Sequence, residues 1–155
     1  MSDSSPALEL EFLSRLLAAA VLAGLLGWER EVRGKDAGLR THILVGVASA
    51  LFVLIGEAML VRYRGLDQVA QVDMTRVLSA VAQGVSFLGA GMVFVWRGDS
   101  VRGLTTAASV LATAAVGVAA GLELYLLASG TTLLILLVLW GLGKLEAGKA
   151  ESGTR

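Results

Sequence analysis

Five long apolar stretches alternate along this chain with short segments that hold most of its charge. A helix needs about 20 mostly apolar residues to cross the hydrocarbon core of a bilayer, and each stretch comes near that length. The pattern predicts spans over residues 8–28, 42–61, 76–96, 104–121 and 124–142. The fold class that follows is all-α, a polytopic transmembrane bundle of five helices filling residues 1–143, with a short polar tail at 144–155. Pro6 is the lone proline and lies outside every stretch, so no span is kinked by proline.

The stretches differ in kind. In the fourth, Ser109, Thr113, Gly117 and Gly121 recur at every fourth position among alanines. Small residues let helix backbones approach closely in lipid, which places this helix at the centre of the bundle. Gly84, Gly89 and Gly91 mark packing surfaces on the third. The fifth is bulky all round from Leu133 to Leu139 and is expected to face lipid. A small-residue stripe left exposed on one face would serve dimerisation.

Lys and Arg are unevenly shared between the two sides that five spans create. The first and third connections and the C-terminal segment hold nine, and the other side holds Arg15, Arg62, Arg64 and Arg76. The excess of positive charge marks the cytoplasmic side, so the N-terminus is expected outside and the C-terminus inside. Asp3, Glu9 and Glu11 replace the basic start of a secretory leader, and no cleaved signal peptide is expected.

Composition narrows the function. Thirteen basic residues balance thirteen acidic ones, which leaves no basic footprint for nucleic acid. Cysteine is absent, which removes disulfides, thiolate metal sites and cysteine nucleophiles. His42 has no second imidazole for a metal site, and no Ser/His/Asp set shares a compartment at a specific spacing. No enzyme is expected.

The polar residues fall into three clusters. The first holds Glu29, Arg30 and Glu31 and continues to Arg40 and Thr41; Glu29 and Arg33 are i,i+4 neighbours that can pair, and Gly34 and Gly38 allow a tight turn. In the second, Asp73 can cap the third helix, Arg76 follows on the same face, and Gln83 two turns deeper needs a hydrogen-bond partner inside the bilayer. The third is Arg102 with Thr105 and Thr106, where an Arg102–glutamate pair at the cytoplasmic face is the expectation. Glu57, an acid near the outer end of the second span, either snorkels or meets Arg62 or Arg76.

At these clusters the chain resembles the MgtC/SapB family of bacterial inner-membrane proteins. The resemblance rests on Gly27-Trp28-Glu29-Arg30-Glu31, Ala37-Gly38-Leu39-Arg40-Thr41-His42, Asp73 with Arg76, Phe87-Leu88-Gly89-Ala90-Gly91 and Val101-Arg102-Gly103-Leu104-Thr105-Thr106-Ala107-Ala108-Ser109. Met74 stands where a proline is usual, and Ser86 where a glycine is. Larger members carry a soluble C-terminal domain beyond the fifth span. The resemblance implies a multi-pass protein of stress adaptation and virulence, linked to growth in low magnesium and survival inside host cells. Some members restrain the ATP synthase through its membrane sector, and the family also carries the label of magnesium-transport accessory.

The leading expectation is a lipid-embedded regulator that binds itself, as a homo-oligomer such as a dimer, and other membrane proteins through helix faces. Asp73, Arg76 and Gln83 form one such face, and Glu29, Arg30, Arg40 and Arg102 a cytoplasmic one. The alternative is a small oligomeric channel or transporter for magnesium or another cation, lined by Glu57, Asp73 and Gln83. No cofactor is expected. Magnesium keeps several waters and binds through one or two carboxylates, which leaves Asp73 or Glu57 as a weak site for it.

Overall fold

The computed structural model describes residues 6–62, 73–96 and 100–152. Five helices account for almost all of them: α1 (Pro6–Val32), α2 (Leu39–Arg62), α3 (Met74–Met92), α4 (Leu104–Gly121) and α5 (Tyr125–Ser152). Between α3 and α4, β1 (Phe94–Trp96) and β2 (Ser100–Arg102) pair antiparallel, Phe94 opposite Arg102. That short pair is a departure from the all-helical expectation.

Each predicted stretch became a helix, but the helices are not equally suited to a bilayer. Among the described residues, α1, α2 and α4 are both long and apolar enough to cross one. The apolar segment described in α5 is Tyr125–Gly141, and Arg76, Gln83 and the serines make α3 less apolar than these three. All five expected stretches are helical, and three of them are strong spans among the described residues.

Local chemistry sets the helix ends. Pro6 opens α1 at a position where its missing N–H costs nothing. At the other end Gly34, with φ +62°, closes a turn in which Gly34 N donates to the Glu31 carbonyl (2.9 Å) and Lys35 N to that of Arg30 (3.0 Å). That double bond pattern satisfies the last carbonyls of a helix and calls for a left-handed residue, usually glycine. The same pattern ends α4, where Glu123 N reaches Ala120 (3.1 Å) and Leu124 N reaches Ala119 (2.9 Å). There the left-handed residue is Glu123, at φ 62°.

The centre is built from α1, α2 and α4. Ala19, Ala23, Ala50, Val53, Val116 and Ala120 are all buried. A Cβ on Gly46 would lie 2.5 Å from that of Ala23, and one on Gly117 would collide with the Gly46 carbonyl. Backbones therefore touch along this seam, as the spacing of Ser109, Thr113, Gly117 and Gly121 predicts; all four are buried. α4 packs against each of the other four helices. α5 presents Leu126, Leu133, Leu134 and Leu137 outward and buries Ala128 and Thr132.

Candidate functional site

Charged side chains gather at both ends of this core. Near the start of α1, Arg15 is buried, its side chain 6% exposed. It holds Glu57 of α2 at 2.7 Å and pairs with Glu11 one turn away and with Glu123 in the α4–α5 turn. Its Nη1 also donates to the Gly121 carbonyl at 3.3 Å, and the guanidinium lies 5.4 Å from the centre of the Phe12 ring. One planar fork thus ties α1, α2 and the end of α4 together, which arginine does and lysine does not. Three half-exposed carboxylates surround one cation, so the node carries a surplus of negative charge.

The other end has a different construction. The Glu29 carboxylate is mostly buried, with Arg33 Nε at 2.5 Å and Arg30 Nη1 at 3.8 Å. Arg30 is 3% exposed, and its Nε has no hydrogen-bond partner among the described residues. Glu31 accepts from Leu39 N at 2.7 Å and so covers the start of α2. His42 is fully buried. Its Nδ1 lies 2.9 Å from the Gly38 carbonyl, which can only accept, so Nδ1 carries the proton. Nε2 then lies 3.3 Å from the Ser109 hydroxyl, whose single proton is shared between it and the nearer Thr106 carbonyl at 2.8 Å. These bonds fasten α2 to α4 one turn from the Gly27 backbone, where an added Cβ would meet Leu39 Cα at 2.7 Å.

The third helix stands apart. Asp73 Oδ1 accepts from Thr75 N at 2.9 Å and from its hydroxyl at 2.6 Å. These bonds hold its carboxyl below the usual carboxylate range. Only Val81, Val85 and Gly89 of α3 are buried. A groove of about 420 Å³ separates it from α2, lined by Leu44, Phe52, Ala80 and Gly84 among others. A second, of about 440 Å³, lies against α4. Gln83 is exposed and has no hydrogen-bond partner among the described residues.

This arrangement coincides with a known sequence family. The MgtC family model matches residues 16–147. The chain belongs to the MgtC family. It is 43% identical over 129 residues to the "Putative magnesium transporter YhiD" of Escherichia coli, covering 83% of this chain and 59% of that one. It is 40% identical over 123 residues to "Protein MgtC" of Brucella abortus (79% and 48%) and 36% over 140 residues to "Protein SrpB" of Synechococcus elongatus (85% and 75%). The chain thus spans about half the length of most of the relatives it matches most strongly. No solved structure matches.

Set against the sequence, the MgtC-type motifs divide. Glu29, Arg30, Glu31 and His42 meet around the α1–α2 turn, and the Glu29–Arg33 pair forms as the spacing predicts. Arg40 and Thr41 are exposed at the start of α2, beside the groove that Glu31, Lys35 and Asp36 help to line. Thr106 is buried while Thr105 is exposed, and Arg102 is exposed in β2. Glu57 meets Arg15, not Arg62 or Arg76, because α1 supplies the nearest cation. Arg15 was legible only as the i,i+4 neighbour of Glu11, and its convergence on three acids depends on the packing of four helix ends. His42 looked inert for lack of a second imidazole, yet it is a buried link. Asp73 and Glu57, the residues expected to offer a weak magnesium site, are both engaged by protein donors, and no group of three or more His, Cys, Asp or Glu side chains is placed to hold a metal ion among the described residues.

Proposed function

We propose that this chain is a regulator in the bacterial inner membrane that acts by binding membrane proteins, with its N-terminus outside and its C-terminus in the cytoplasm. The observation that carries this reading is the outward face of α3. A polar amide in the apolar layer is costly unless it finds a partner, and Gln83 finds none within the described residues. A binding surface supplies one. The core argues in the same direction. Its two charged clusters are separated by backbone-to-backbone contact at Gly46 and Gly117, which is the construction of a scaffold. The connection to magnesium limitation, and to the membrane sector of the ATP synthase as one target, comes with the family resemblance.

The name of YhiD favours a second reading, transport of magnesium. Purified protein in liposomes separates the two. The regulator passes no magnesium, potassium or protons and retains a co-purifying membrane protein that Gln83→Leu releases. Flux that Asp73→Asn or Glu57→Gln abolishes would overturn the regulator and make the chain a transporter.

A further inference from the structure

α3 is the most amphipathic of the five helices, and its polar side points away from its own bundle. Val81, Val85 and Gly89 form the inward stripe. Directly opposite run Arg76, Ala80, Gln83, Phe87 and Ala90, spaced four, three, four and three, and all are exposed. That alternation is the seam spacing of two helices packed knobs into holes. Phe87 is 81% exposed, the largest exposure of any aromatic residue on the helices, while Gly84 beside it leaves open space where a side chain would stand. The hydroxyls buried elsewhere in the bundle behave differently from Gln83. Ser109, Thr113 and Thr132 each donate to a carbonyl of their own helix at 2.8 Å.

We propose that the outward seam of α3 is the contact between two copies of this chain, paired in parallel about a two-fold axis along the membrane normal, with the Gln83 amides hydrogen-bonded across it. This rests on the reading of α3 as the binding face and names the occupant. A two-fold contact requires a patch complementary to itself. An amide is both donor and acceptor, so Gln83 meets its own match in the partner's Gln83. The end of the seam has the same property. Arg76 is 88% exposed and 3.8 Å from Asp73 in its own chain, and the two-fold adds reciprocal contact with the partner's Asp73. In this register the holes that receive Gln83 and Phe87 are walled by Ala80, Gly84, Ser86 and Ala90, all small. Lipid tails cannot satisfy the amide, and a different protein would need a matching group at the same depth. A second copy always carries one. A single polar residue in such a seam also fixes its register.

The chain has no cysteine, so single substitutions give unique thiols. Ala80, Gln83, Phe87, Ala90, Leu78 and Ala82 on α3, and Leu133 on α5, are each replaced by Cys in the full chain. The variants are reconstituted in lipid vesicles and oxidised, and dimer is read on a denaturing gel. Cross-linked dimer is expected at Ala80, Phe87 and Ala90, with a lower yield at Gln83, where the thiol replaces the pairing amide, and at least a fivefold loss at Leu78, Ala82 and Leu133. Gln83→Leu in the Phe87→Cys background is expected to lower the dimer yield, and Gln83→Asn to restore part of it. Monomer at Ala80→Cys and Phe87→Cys, or equal dimer at every position, would overturn the pairing. The outcomes separate this inference from the functional reading. A seam dimer that conducts ions keeps the pairing and sinks the regulator. Monomer that still holds another membrane protein through Gln83 does the reverse.

Discussion

Gly117 of α4 and Gly84 of α3 are the same residue in the same family of helices, and the fold uses them in opposite ways. Gly117 presses against the backbone of Gly46, so closely that a Cβ would overlap its carbonyl oxygen, whereas nothing lies within 4 Å of a Cβ on Gly84. The contrast extends to whole helices. α1, α2 and α4 spend their small residues on one another and tie buried polar side chains inside the chain, through Arg15 and through His42. α3 keeps one narrow buried stripe and exposes Gly84, Gly91, its serines and its glutamine. Where packing is complete, a small residue is structural. Where a small residue and a polar one remain open together in an apolar layer, the surface is made for something outside the chain.

The comparison breaks most directly at its two glycines. Gly117→Leu forces α4 off α2 and is expected to cost ~3 kcal/mol or more, as overpacking in a tight core does. Gly84→Ala is expected to leave the monomer's stability within about half a kcal/mol, the range of surface changes. Unfolding of both variants in mild detergent by titration with a denaturing one measures the difference. A strongly destabilised Gly84→Ala would show that α3 packs inward after all.

Next in size is the Arg15 node. Arg15→Met leaves Glu57, Glu11 and Glu123 without their common cation. Water reaches these acids, so the expected loss is about 2 kcal/mol, not that of a fully buried pair. Arg15→Lys keeps the charge but loses the fork and recovers only part of it, again by unfolding midpoint.

A finer probe uses Glu123. Its left-handed backbone costs a non-glycine residue about 1 kcal/mol, yet its carboxylate reaches Arg15. Glu123→Gly and Glu123→Ala both remove the ion pair, but only glycine relieves the backbone. Glu123→Gly should therefore be the more stable of the two by about 1 kcal/mol. Equal stability would mean the turn is not held as described.

The smallest effect is at the start of α3. Asp73 titrates below the usual carboxylate range because Thr75 bonds to its charged form. A lowered folded value means that the cap contributes at neutral pH and fades as pH falls through that value. Protection of the Thr75 and Arg76 amides, taken as exchange relative to the intrinsic rate at each pH, should fall on acidification, and Asp73→Asn should remove that pH dependence.

Much of this was readable in the chain. The period of Ser109, Thr113, Gly117 and Gly121 placed α4 at the centre because only small residues permit backbone contact in lipid. Glu29 and Arg33 announced their pair, and Asp73 its cap, since both are local and set by helix geometry. The partners of Glu57 and His42 were not readable. They lie 42 and 67 residues away, and no periodicity encodes which helix end will be adjacent. The third helix was read as one more span, whereas its polar face and shallow burial make it the odd member of the bundle.

The sequence by itself determined the family, the five helices, their caps and the helix meant for the centre, because each depends on contacts a few residues apart or on motifs in fixed order. Tertiary structure decided which acids share Arg15, that His42 bridges to Ser109, and that Gly84 and Gln83 face outward while Gly117 faces in. Those outcomes depend on how rigid helices turn about their axes to bury the most surface, and that rotation is settled only when all the helices pack at once.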